Sequence, residues 1–82
     1  MLTDYIDAAM HHAHYEYLTE DKEFYGEIEV TRGVWATGET LEACRDELKE
    51  VLEDWIMFAL KKNADLPVID GISLQSSPLI DA

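Results

Sequence analysis

The segment from Leu41 to Lys62 constrains this chain more than any other. Leu41, Cys44, Leu48, Val51, Leu52, Trp55, Ala59 and Leu60 recur at steps of three and four, the stripe of an amphipathic helix. Thr40 is suited to cap its start and Glu42 sits in the first turn, where the helix dipole favours an acid. Lys61 and Lys62 occupy the last turn, and Asn63 can close it in a left-handed conformation. Such a helix runs about 33 Å. In a chain of 82 residues, its apolar stripe has to be covered by one layer built from the rest.

The preceding residues supply that layer. Leu2, Ile6, Ala9 and Met10 predict a short helix over 2–10. From His11 to Leu18 the pattern changes to alternation, with Ala13, Tyr15 and Tyr17 on one face and His12, His14, Glu16 and Leu18 on the other. Thr19 to Glu23 reads as a polar turn. A second strand follows from Phe24 to Val30, setting Phe24, Ile28 and Val30 against Tyr25, Glu27 and Glu29. Gly26 falls on its apolar face and marks a bulge or a close approach by another element. Thr31-Arg32-Gly33 breaks the strand, and Val34-Trp35-Ala36 forms a third. After the long helix, a fourth strand is expected over Val68–Ile72, with a loosely ordered tail over 73–82. The fold class is α+β: a single two-layer domain in the order α-β-β-β-α-β, with an antiparallel three-stranded meander, one further strand, and the long helix packed on the sheet.

Charge narrows the function. Eighteen acidic residues stand against six basic ones, a net charge of −12. A chain this acidic repels phosphate backbones and anionic headgroups, so direct nucleic-acid binding and membrane docking are not expected. A basic partner is its electrostatic complement. With 48 % hydrophobic residues, the chain has the means to build a core. A domain of this size nevertheless buries only about 60 % of its unfolded surface, so self-association is a natural way to gain burial. The longest apolar run, Trp55 to Leu60, is far too short to span a bilayer, and Asp4 stands where a signal peptide carries basic residues. The expected location is the cytoplasm.

Constellations that carry chemistry are weak. His11, His12 and His14 cluster, and Glu16 continues one face, so a metal site can be drawn. A structural site would want a fourth ligand and supporting carboxylates, which are not anchored nearby, and the plainer reading is surface or subunit-contact histidines. Glu27 and Glu29, two apart on one strand face, are what a metal-dependent nuclease would use, but neither a pocket nor a basic steering group accompanies them. Cys44 falls on the buried helix stripe, where a thiol is an inert small hydrophobe. The glycines at 26, 33, 38 and 71 are too far apart for a phosphate loop. The expectation is no catalytic residue, no metal, no cofactor and no enzyme. The outer helix face carries Glu42, Asp46, Glu47, Glu50, Glu53 and Asp54. Its like-charge i, i+4 neighbours cost about 0.2–0.5 kcal/mol per pair, so it reads either as a plain solvated face or as one turned toward a basic protein.

The run Phe24-Tyr25-Gly26-Glu27-Ile28, then Arg32-Gly33-Val34-Trp35-Ala36, then Gly38-Glu39-Thr40-Leu41-Glu42-Ala43, resembles the HicB family of antitoxin domains in order and spacing. Pro67 to Ile72 looks like the segment after the helix in small family members. The resemblance implies a partial RNase H-like core without its nuclease site, and dimers, tetramers or similar homo-oligomers. It also implies a partner, a small basic HicA-type mRNA-cleaving toxin that the domain binds and neutralises. Helix 2–10 lies outside the resemblance and is open to a role in oligomerisation. Many HicB proteins carry a C-terminal DNA-binding element; the ten residues after Ile72 hold no basic side chain, so operator binding by this chain is not expected. The partner-binding residues expected on this reading are Glu27, Glu29 and Trp35 for contact, with Glu42, Asp46 and Glu50 for steering. The alternative is an orphan homo-oligomeric domain with a self-assembly or small-ligand role.

Overall fold

The computed structural model describes residues 2–31 and 33–74. They form helix α1 (Leu2–His11), strands β1 (Ala13–Leu18), β2 (Glu23–Ile28) and β3 (Val34–Gly38), and helix α2 (Leu41–Lys61). The three strands make one antiparallel sheet in the order β1-β2-β3.

Helix α2 starts and stops where local chemistry says it should. The Thr40 side-chain oxygen accepts the Ala43 N–H at 3.0 Å, relieving one of the unpaired donors of the first turn. At the other end Asn63 takes a φ of 56°. Its N–H reaches the Leu60 carbonyl at 3.2 Å, and the Ala64 N–H reaches that of Ala59 at 2.9 Å, which together satisfy two trailing carbonyls. The helix buries Cys44, Leu48, Leu52, Ile56 and Ala59. Ile56 takes a place on the inner line that apolar spacing assigns to Leu41, which is exposed, and to Trp55, which is half-buried. Complete burial of Leu48, Leu52 and Ile56 contributes roughly 1.5–3 kcal/mol each, which makes this contact the main apolar term.

The sheet offers α2 the face made by Ala13, Tyr15 and Tyr17, by Phe24, Gly26 and Ile28, and by Val34, Ala36 and Gly38, which the strand register brings into line. Two glycines set how closely the helix can approach. A β-carbon on Gly26 would lie 2.8 Å from ring carbons of Tyr15 and 3.2 Å from the Cys44 sulfur. One on Gly38 would lie 2.7 Å from the Cys44 Cα and 2.9 Å from the Ala43 carbonyl carbon. Between the two, the Cys44 thiol points at the Ala36 carbonyl, with Sγ 3.6 Å from the oxygen.

Three expectations are corrected. The second strand ends at Ile28, not at Val30, and Glu29–Thr31 form a 3-10 turn. The Thr31 hydroxyl donates to the Ile28 carbonyl at 2.8 Å, a local bond that competes with further strand pairing. Thr31 is buried and Val30 exposed, the reverse of the apolar pattern. Val68–Ile72 adds no strand to the sheet: Ile69 and Ile72 exchange backbone bonds of 3.1 and 2.8 Å across Asp70-Gly71. With φ of 51° and 80°, these two residues make the tight reversal that Asp-Gly favours, and it folds the segment back on itself.

Helix α1 is the third correction. Placed outside the family resemblance on sequence, it belongs to the core, burying Tyr5, Ile6, Ala8 and Ala9 in the same cluster as Leu48, Leu52 and Ile56. The Tyr5 hydroxyl donates to the Pro67 carbonyl at 2.6 Å. The part of the expected tail beyond Leu74 lies outside the described residues.

Gly38→Ala should destabilise the protein by about 1–3 kcal/mol, the usual range for overpacking. Gly26→Ala should cost less, because a Tyr15 ring can shift where the backbone of Cys44 cannot. Thermal melts of the two variants against wild type check the order. Tyr5→Phe should cost about 1 kcal/mol, the net worth of a single hydrogen bond, measured by chemical denaturation.

Candidate functional site

Among the described residues, the face of the sheet turned away from α2 holds no buried side chain. Strand alternation places His14, Glu16 and Leu18 on it from β1, Glu23, Tyr25 and Glu27 from β2, and Trp35 and Thr37 from β3. The register sets His14 opposite Glu27, Glu16 opposite Tyr25, and Glu27 opposite Trp35. At the centre, the Tyr25 and Trp35 rings stack with centroids 6.0 Å apart and planes inclined by 26°, an offset arrangement that aromatic quadrupoles favour. Trp35 remains 53 % exposed. The Tyr25 hydroxyl donates to Glu27 Oε1 at 2.9 Å, holding that carboxylate beside the rings. This bond raises the Tyr25 phenol above its ordinary 10.0, with burial and the charges of Glu27 and Glu16 acting in the same direction.

The residues expected from the sequence fall in three places. Glu27 and Trp35 meet on the open sheet face. Glu29 does not join them, because the 3-10 turn carries it off the strand and leaves it exposed. Glu42, Asp46 and Glu50 are exposed on α2, which packs against the opposite side of the sheet. Asp46 lies beside Arg45, Lys49, Asp7 and Met10 where α1 runs along α2. Glu42, Asp46 and Glu50 thus lie on a different element from Glu27 and Trp35, although Trp35 also lines a cleft with Glu47 and Val51 of α2. Tyr25 is a site residue that sequence reasoning missed, although its alternation with Glu27 is visible there. Its partnership with Trp35 follows only from the β2–β3 register.

The histidines are dispersed. His12 Nε2 lies 2.8 Å from Asp70 Oδ1, an exposed contact that ties the start of β1 to the reversal after α2. His14 lies on the sheet face. Among the described residues no group of three or more His, Cys, Asp or Glu side chains is placed to hold a metal ion. Cys44 is fully buried, and burial pushes its thiol above the ordinary 9.0, with the charge of Glu23 adding to the effect. It is a packing residue. The Tyr15 hydroxyl is also buried, and burial raises its pKa, although the neighbouring Arg45 opposes the shift through its charge and hydrogen bonding. Among the described residues no helix is long and apolar enough to cross a membrane.

An antiparallel three-stranded sheet covered on one side by helix α2, with α1 packed against α2 and an aromatic and acidic face opposite, defines a small α+β domain. The UPF0150-like family matches residues 4–67, and the chain belongs to that family. The match takes in helix α1 from Asp4 onward, so this helix lies within the family's domain. The fold is similar to that of TTHA0281 from Thermus thermophilus, a crystal structure 40 % identical in sequence, with a TM-score of 0.85 over 90 % of this chain and 91 % of that one. No curated protein matches the chain.

Glu27→Gln removes the acceptor charge that stabilises the neutral phenol. Tyr25 should then titrate closer to 10.0 than in wild type, read as tyrosinate absorbance on raising the pH. An unchanged titration would mean that the Tyr25–Glu27 bond does not form in solution.

Proposed function

We propose that this protein is a non-enzymatic, HicB-like antitoxin domain of the cytoplasm that binds a small basic protein of the HicA type and covers its RNA-binding surface. The observation that carries the reading is the open sheet face, where an exposed Trp35 stacked on Tyr25 stands among Glu16 and Glu27 in a chain of net charge −12. Tryptophan and tyrosine are the side chains that most often anchor interfaces. Acids around them speed the encounter with a cationic partner and disfavour wrong ones. The UPF0150-like family match over residues 4–67 supports a small domain of antitoxin-like type. On this reading Glu27 and Trp35 make contact, while Glu42, Asp46 and Glu50 act at a distance through the overall field.

A second reading, an orphan homo-oligomer, is favoured by a different surface. Met57 and Phe58 on α2 are 60 % and 61 % exposed, and Met57 lines a mostly apolar cleft with Leu2, Ile6, Ile56 and Glu53 between the two helices. Self-association through this region and toxin binding through the sheet are compatible.

The test is purification of the tagged protein from its native host at low salt. A stoichiometric basic companion of under about 100 residues, a single small domain, is the expected result, and charge reversal at Glu27 together with Trp35→Ala should release it. Raising the salt should slow association more than it speeds dissociation. A homo-oligomer that consistently carries nothing would overturn the toxin-binding reading and leave the second.

A further inference from the structure

The partner reading leaves open what this face recognises. The sheet face holds Glu16, Glu23 and Glu27, yet among the described residues none of the chain's own lysines or arginines lies on β1, β2 or β3. Lys22 is in the turn before β2, and Arg45, Lys49 and Lys61 belong to α2, with Lys62 just beyond it. Among the described residues, no lysine or arginine on the sheet neutralises these carboxylates. A second copy of the chain laid on this face would set like charges against like, and a phosphate backbone would be repelled for the same reason. The complement is cationic.

The geometry is more selective than charge alone. Tyr25 holds the Glu27 carboxylate at the margin of the Tyr25–Trp35 stack through its 2.9 Å bond, and Glu16 faces Tyr25 from the neighbouring strand. An exposed π face with a carboxylate fixed at its side suits a planar, delocalised cation that stacks and hydrogen-bonds at once. Guanidinium does both, whereas an ammonium is a compact, strongly hydrated charge with no plane to stack. We propose that the Tyr25–Trp35 stack, with Glu27 and Glu16 beside it, is a receptor for an arginine side chain of the basic protein partner. The inference rests on the partner reading for the identity of the occupant, but its chemistry can be tested without that protein.

The experiment titrates the full-length, nitrogen-15-labelled chain with the capped peptide acetyl-Gly-Arg-Gly-amide and, separately, with its lysine counterpart, at low salt. Saturable shifts of the Trp35 indole N–H and of the Tyr25 and Glu27 amides are expected, with the arginine peptide binding about two- to fivefold more tightly, at most the size of one exposed cation–π contact. Trp35→Ala and Glu27→Gln should each remove that preference, while Trp35→Phe, which keeps a π face, should retain part of it. Equal binding of the two peptides, shifts centred on Glu42, Asp46 and Glu50, or an arginine preference that survives Trp35→Ala would each overturn the receptor. The host purification decides separately whether a basic partner exists, so a companion protein found alongside equal peptide binding would overturn only the receptor.

Discussion

Cys44 sits where a larger neighbour on either side would lift α2 from the sheet. Its backbone rests over Gly38, its sulfur faces Gly26, and its thiol points at the Ala36 carbonyl. This contact at the start of the helix fixes the height at which the rest of α2 rides over β2 and β3. Leu48, Leu52 and Ile56 reach full burial because the first turn is already close to the strands. A thiol suits the position: it is small and apolar, and burial keeps it protonated. For a buried acid whose pKa is raised in this way, the associated stability is intact below the ordinary thiol value of 9.0 and declines as the pH climbs through the folded one.

The same packing determines what the other side of the sheet displays. Once the small and apolar residues of each strand are committed to the helix, alternation sends their neighbours outward, and these are the aromatic and acidic side chains. A sheet open on one side normally reads apolar-in and polar-out. Here the outward side keeps a tryptophan that is 53 % exposed and stacked on Tyr25. Tryptophan and tyrosine are enriched at interface hot spots, and this is the ground on which the proposed partner reading rests.

Much of this architecture is legible in the residues. The i, i+3, i+4 recurrence locates α2 to within a residue at its C-terminal end, and Thr40 and Asn63 mark its caps because capping is set by local side-chain and backbone chemistry. Gly26 announces the close approach, though not that Cys44 is what approaches. The strand stops at Ile28 because a single Thr31 side-chain bond diverts the backbone, something apolar alternation does not register. Val68–Ile72 has strand-like composition, but Asp70-Gly71 reverses the chain within it. Of the site, Glu27 and Trp35 can be named from sequence. Their meeting with Tyr25 cannot, since it depends on register between strands, and Glu29 is lost with the strand that was to carry it.

The bonds joining the first helix and the turn after it to the segment beyond α2 span much of the chain: Tyr5 meets Pro67 and His12 meets Asp70, 62 and 58 positions apart. Contacts of such separation close late, because a long loop must be ordered before they form. The β1–β2 hairpin and α2 are local by comparison. During synthesis the Tyr5–Pro67 bond can form only after Pro67 has left the ribosome, later than the hairpin and α2 are made. Helix α1, made before its Pro67 acceptor, thus gains that hydrogen bond only once the chain beyond α2 has been synthesised.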